Sequence, residues 1–77
     1  MPVNKIVDPR VDRALHDHVR ALAREYALEV YDRRRLGDDK AKYHAQRPKV
    51  KAYGALMRAG LTPREAINYF RSVSEMS

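Results

Sequence analysis

Seventy-seven residues are enough for one domain, and the absence of cysteine excludes both disulfide staples and thiolate metal sites. A chain this short buries only about 60% of its unfolded surface, so helix packing, a second copy or a partner must hold it together. The net charge of +6 is not spread along it: residues 1–30 and 59–77 are electrically balanced. Residues 31–58 carry nine cations (Arg33, Arg34, Arg35, Lys40, Lys42, Arg47, Lys49, Lys51, Arg58) against Asp32, Asp38 and Asp39, which is the whole excess.

Residues 1–8 read as an extended arm. They lack the long apolar core of a secretory signal, and no stretch reaches the roughly 20 apolar residues of a membrane span. The expected location is therefore the cytoplasm, with no membrane partner. Asp8-Pro9 reads as a helix start, with Asp8 as N-cap and Pro9 at the first helical position. Val11, Leu15, Val19, Leu22, Tyr26 and Val30 then recur at spacings of three and four, the apolar face of one long helix. The pattern runs to Leu36, and Gly37 suits a C′ position with positive φ. A helix over 9–36 would be about 42 Å long and would overshoot a domain of roughly 30 Å diameter. Its basic end would project, it would break near Arg33, or a second copy would pack along it as a homodimer.

Gly37-Asp38-Asp39 is a turn, and either aspartate could cap a short helix through Ala45. Pro48 disfavours helical backbone at Arg47 and places a boundary or kink there. A helix over 48–59 follows, with Val50, Tyr53 and Met57 on one face and Leu56 beside them. Thr62-Pro63-Arg64-Glu65 is a capping box, with Gly60 closing the preceding helix. It starts a last helix over 63–74 that buries Ala66, Ile67, Phe70 and Val73. The fold class is all-α: a small bundle of three or four helices over 9–77, with a long first helix and a terminal helical hairpin over 48–74. The expected core is Val11, Leu15, Val19, Leu22, Tyr26, Val30, Val50, Tyr53, Leu56, Met57, Leu61, Ile67 and Phe70.

For function, the basic segment comes first. Arg33, Arg34, Arg35, Lys40, Lys42, Arg47, Lys49 and Lys51 are interleaved with Tyr43, His44 and Tyr53. Nucleic-acid binders need cations for phosphates and use aromatic faces for bases, so Tyr43 joins the candidate set. The run from Leu56 through Gly60 to Ala66 resembles helix-turn-helix grammar over about 20 residues. The resemblance implies a reading helix at 63–74, with Arg64, Asn68 and Arg71 on one row able to address base edges. It departs at Leu56, where a small residue is usual, and an ordinary helical hairpin with a solvated polar row fits the same residues.

No nucleophile–base set is evident, because the serines sit only at 72, 74 and 77, and no glycine-rich phosphate loop occurs. The expectation is a protein that is not an enzyme and takes no cofactor. His16 and His18 point about 200° apart on a helix and cannot share a metal; His16 would instead pair with Asp12 one turn away. Glu29 and Arg33 are a second i,i+4 pair. The expected function is a nucleic-acid-binding accessory or regulatory protein, with duplex DNA as the expected form. The alternative is an adaptor or inhibitor docked on an acidic protein surface, since charge complementarity steers association with any anionic target.

Overall fold

The structure, a computed structural model, describes residues 8–76. The arm expected over 1–8 lies outside the described residues except for Asp8. Four helices follow one another: α1 (Arg13–Arg35), α2 (Ala41–His44), α3 (Arg47–Arg58) and α4 (Pro63–Met76), with no strand among the described residues. The chain is thus a small all-α bundle with a long first helix.

α1 starts four residues later than the Asp8-Pro9 signal implies. Asp8 closes a turn around Pro9 instead of capping the helix. Its Oδ1 accepts from the Arg10 backbone N–H at 2.9 Å, and its carbonyl accepts from Val11 N–H at 2.9 Å. Asp12 is the N-cap, accepting from Leu15 N–H at 2.8 Å. That use of Asp12 also leaves His16 without the expected carboxylate. His16 turns to α4, its Nδ1 lying 2.6 Å from the Tyr69 hydroxyl.

The far end of α1 closes as its sequence implies. Gly37 has φ +88°, Asp38 N–H reaches Arg33 C=O at 2.9 Å, and Gly37 N–H reaches Arg34 C=O at 3.0 Å. This is a Schellman motif, and positive φ is what makes glycine necessary there. The 23-residue helix is about 34 Å long and neither projects nor breaks near Arg33. The chain doubles back and α2 packs on its last turns, where Val30, Ala41 and Ala45 form a small buried cluster with Tyr26 at its edge. Asp38 organises this return: Oδ1 accepts from Lys40 N–H at 2.9 Å and Oδ2 meets His44 Nδ1 at 2.7 Å. Lys40, not an aspartate, holds the N-cap position of α2.

The boundary expected at Pro48 forms, without a kink: α3 begins one residue earlier, at Arg47. Pro48 sits in the first turn, where no helical N–H is lost, and its ring is fully buried. α3 runs antiparallel to α1: Lys49 near its start lies over the Tyr26 ring at 5.1 Å, and the turn after its end reaches Arg10. A second Schellman motif closes it, with Leu61 N–H on Leu56 C=O (3.2 Å), Gly60 N–H on Met57 C=O (3.0 Å) and Gly60 at φ +111°. Leu56 and Leu61, the apolar pair that accompanies this motif, both enter the core. The capping box then forms as read: Glu65 N–H donates to Thr62 Oγ1 at 3.2 Å, and Thr62 N–H to Glu65 Oε1 at 2.9 Å.

The main core joins Val19, Leu22 and Ala23 of α1 to Ala52 and Leu56 of α3, Leu61, and Ala66, Tyr69, Phe70 and Val73 of α4. Phe70 is its pivot, meeting Tyr26 and Tyr53 edge-on with ring centroids 5.9 and 5.6 Å away. Three expected core residues are on the surface instead: Val50, Met57 and Ile67 are 55%, 41% and 41% exposed. The reason is the alanines. Ala23, Ala52 and Ala66 are buried at the helix contacts, and such small side chains set how closely helices approach. α3 therefore turns its Pro48, Ala52 and Leu56 row inward, which rotates Val50 and Met57 roughly 160° and 140° away from Ala52.

A candidate phosphate-binding end

The return of the chain after α1 decides where the cations go. Arg33, Arg34 and Arg35 close α1, Lys40 and Lys42 flank the start of α2, and Arg47, Lys49 and Lys51 open α3. Because α1 and α3 are antiparallel, these segments meet at one end of the bundle. The opposite end holds Asp8, Arg10, Thr62 and Glu65, whose charges are spent on each other. Arg10 Nη2 is 2.8 Å from Asp8 Oδ2, and its Nη1 is 3.0 Å from Glu65 Oε1. These contacts push the Glu65 carboxyl down to about 2 and hold the Asp8 carboxyl below its ordinary range.

The cations share an end but not a face. Arg33, Arg34 and Arg35 are successive helical residues and fan out at about 100° intervals. Arg33 turns inward to Glu29 (3.1 Å) and to Asp38 (3.7 Å). Asp38, approached by Arg33 and His44, has its carboxyl held below the ordinary carboxylate range, with the His44 hydrogen bond the largest cause. Lys49 is taken up by the Tyr26 ring, a cation–π contact. Among the described residues, Arg34, Arg35, Lys40, Lys42, Arg47 and Lys51 make no ion pair. All six are exposed. Tyr43 is 67% exposed, with His44 edge-on to it at 5.7 Å.

Arg47, Lys51 and Arg58 are spaced by four and seven, so they form one row along α3 about 16 Å long. Arg58 lies at the far end of that row and outside the basic end. A polar groove of about 340 Å³ runs beside Arg47, lined by Glu25, Glu29, Arg33, His44, Arg47 and Pro48. Its two glutamates come from α1 and face Arg47 across the groove.

The second set of sequence candidates lies elsewhere. Arg64, Asn68 and Arg71 are exposed on one row of α4, on the side turned away from buried Ala66 and Tyr69. That row belongs to α4 and the Arg47–Lys51–Arg58 row to α3, so the candidate base readers and the α3 phosphate contacts sit on separate helices. Among the described residues no three His, Asp or Glu side chains gather closely enough to hold a metal ion, and no helix is long and apolar enough to cross a membrane.

Two side chains that hold the bundle in shape escape a reading of the sequence. Asp38 looks like a capping residue, but it also ties α1, the turn and α2 together through Arg33, Lys40 and His44. Its spacing of six from His44 belongs to no helical pattern and gives no sequence signal. Tyr69, the partner of His16, is the other. Its place between Ala66 and Val73 on the buried row of α4 is a readable cue that the bulkier Ile67 and Phe70 obscure.

No protein-family model, curated protein or solved structure matches this chain. The functional reading therefore comes from the geometry of its own residues.

Proposed function

We propose that the protein is a small non-enzymatic nucleic-acid-binding accessory or regulatory protein, whose basic end seats on the phosphate backbone. The supporting observation is the contrast between the two ends. At one, Arg10 is paired with Asp8 and Glu65, leaving Arg58 and Arg64 as cations without an ion pair; the other gathers six, presenting Arg34, Arg35, Lys40, Lys42, Arg47 and Lys51 to solvent without ion-pair partners among the described residues. Unpaired cations on a compact end attract a polyanion and release its counterions. A fan of cations, unlike a row on one face, follows phosphates around a curved backbone and carries no sequence code, so binding is expected to be dominated by phosphate contacts. Tyr43, exposed within the fan, offers a ring to an unpaired base.

The test is binding to random duplex and single-stranded oligonucleotides across a salt series. On duplex, log K should fall with log salt at a slope near −0.9 for each phosphate neutralised. Reversing Lys40 and Lys42 to Glu, both exposed and outside every ion pair named above, should abolish binding with an unchanged thermal melt. Micromolar protein that shifts neither oligonucleotide at roughly 50 mM salt would exclude a phosphate-binding role.

A further inference from the structure

We infer that the outward row Val50–Gly54–Met57 of α3, with Ile67 of α4 beside it, is a docking site for an acidic amphipathic helix of a protein partner. α3 is apolar on two sides. Pro48, Ala52 and Leu56 fill the core, while Val50 and Met57, seven residues apart and hence within roughly 20° of each other around the axis, face solvent. Gly54 lies between them, four residues after Val50 and three before Met57. A Cβ there would meet only the Arg58 Nη1 atom, at 3.6 Å. The row is thus two apolar knobs about 10 Å apart with a notch between them, the relief into which a partner helix sets a side chain.

Ile67 extends the same surface. Tyr53 against Phe70 marks the seam between α3 and α4. Val50 and Met57 lie roughly 40–60° beyond Tyr53, and Ile67 roughly 60° beyond Phe70, all turned away from α1. Four surface positions therefore form one strip on the outer side of the hairpin. None of them is needed inside, since Ala52 and Ala66 already occupy the core positions facing α1.

Charge selects the occupant. Arg47, Lys51 and Arg58 border the strip along α3, and Arg64 and Arg71 flank Ile67 three residues before it and four after. None of the five makes an ion pair among the described residues. Glu75 follows Arg71 by four residues, and Glu25 and Glu29 share a groove with Arg47. A second copy of the chain would bring the same cations face to face across a two-fold axis, where like charges repel. A nucleic-acid backbone gains nothing from aliphatic side chains. A helix with leucines on one face and carboxylates along its borders satisfies both the strip and its rim. It would overlap the phosphate-binding end only at Arg47 and Lys51.

The experiment uses the full chain and a fluorescent synthetic helical peptide with leucines on one face and glutamates elsewhere. A scrambled peptide of the same composition and a lysine-for-glutamate version serve as comparisons, read by anisotropy. The amphipathic acidic peptide should bind and the other two should bind at least about tenfold more weakly, a difference of one hot-spot contact. Gly54→Leu, which fills the notch, and Met57→Glu should each weaken it by about tenfold or more while leaving oligonucleotide binding intact. Val50→Ser, at a position 55% exposed and outside the core, gives the same readout if Gly54→Leu fails to fold. Equal binding of the scrambled peptide, or affinity unmoved by these variants, would leave only diffuse charge attraction and overturn the inference. So would loss of oligonucleotide binding in Met57→Glu, or a solution mass of two chains that this substitution reduces to one.

Discussion

Arg10 and Glu65, fifty-five residues apart, share a 3.0 Å ion pair through the same Glu65 oxygen that caps Thr62 N–H at 2.9 Å. The guanidinium also donates to Gly60 C=O at 3.2 Å and grips Asp8. One side chain therefore clasps the turn before α1 onto the turn between α3 and α4. The Glu65 carboxyl is pushed from 4.5 to about 2, mainly by the Arg10 hydrogen bond and then by Thr62 N–H. A carboxyl whose folded value lies below its unfolded one stabilises fully above the unfolded value and loses that contribution as pH falls through the folded one. The melting temperature should thus decline from about pH 4.5 toward pH 2. Glu65→Gln, which cannot ionise, should lower stability at neutral pH and flatten that decline. Circular dichroism melts across the acid range check both.

The Tyr69 hydroxyl, 2.6 Å from His16 Nδ1, gives the opposite pH signature. The Tyr69 phenol is raised above its ordinary 10.0, mainly by burial and then by the charge of Asp8. A raised folded value means the neutral phenol is the favoured form. The contribution is complete below pH 10 and is lost as pH climbs through the folded value. Tyr69→Phe keeps the ring in the core but deletes the 2.6 Å contact with His16. It should cost about 0.5–1.5 kcal/mol at neutral pH and remove one phenolate step above pH 10 from the absorbance titration. A step lost at pH 10 or below would mean that burial does not hold the Tyr69 phenol neutral.

What is legible in the sequence follows a physical division. Local chemistry is readable: the Thr62–Glu65 capping box and the Gly37 and Gly60 stops depend on neighbours within a few residues, and all three form. Helix faces are less so, because bulky residues dominate a periodicity while the contacts of this bundle are made by alanines. Val50 and Met57 thus look interior, yet Ala52 does the packing. Asp8 looks like a cap because nothing nearby shows that Arg10 will reach across to Glu65. The clustering of charge is visible at once, whereas its arrangement depends on α1 and α3 being antiparallel and on Asp38 folding the chain back between them.

Arg33 and its two neighbours should separate binding from stability. Arg33 is held by Glu29 and Asp38, whereas Arg34 and Arg35 have no such partner among the described residues. Arg33→Ala should loosen the α1–α2 corner, lowering the melting temperature with little change in oligonucleotide affinity. Arg34→Ala and Arg35→Ala should leave the melt unchanged and each reduce the salt slope by about one. If all three variants behave alike in both measurements, the fan of charge does not discriminate among its members, and the assigned roles fail.

The three glycines should respond to the same substitution with different signs. Gly54 sits inside α3 with ordinary helical backbone, and a new Cβ would meet only the flexible Arg58 Nη1, at an ordinary contact distance of 3.6 Å. Gly54→Ala should therefore raise stability by about 0.5–1 kcal/mol, through helix propensity and a less flexible unfolded chain. Gly37 and Gly60 have φ +88° and +111°, where a Cβ is disfavoured whatever the space around it. Gly37→Ala should cost about 1–2 kcal/mol from backbone strain alone, since nothing lies within 4 Å of the new methyl. Gly60→Ala should cost at least as much, because its φ lies further from any region an L residue favours; the Arg10 Cδ, 3.6 Å from the new Cβ, is at ordinary contact distance and need not move. Glu65 then keeps its Arg10 partner, so both Gly37→Ala and Gly60→Ala should lower the melt while retaining the native acid decline. A flattened acid profile in Gly60→Ala would show instead that the clasp depends on the turn backbone whose carbonyl Arg10 holds.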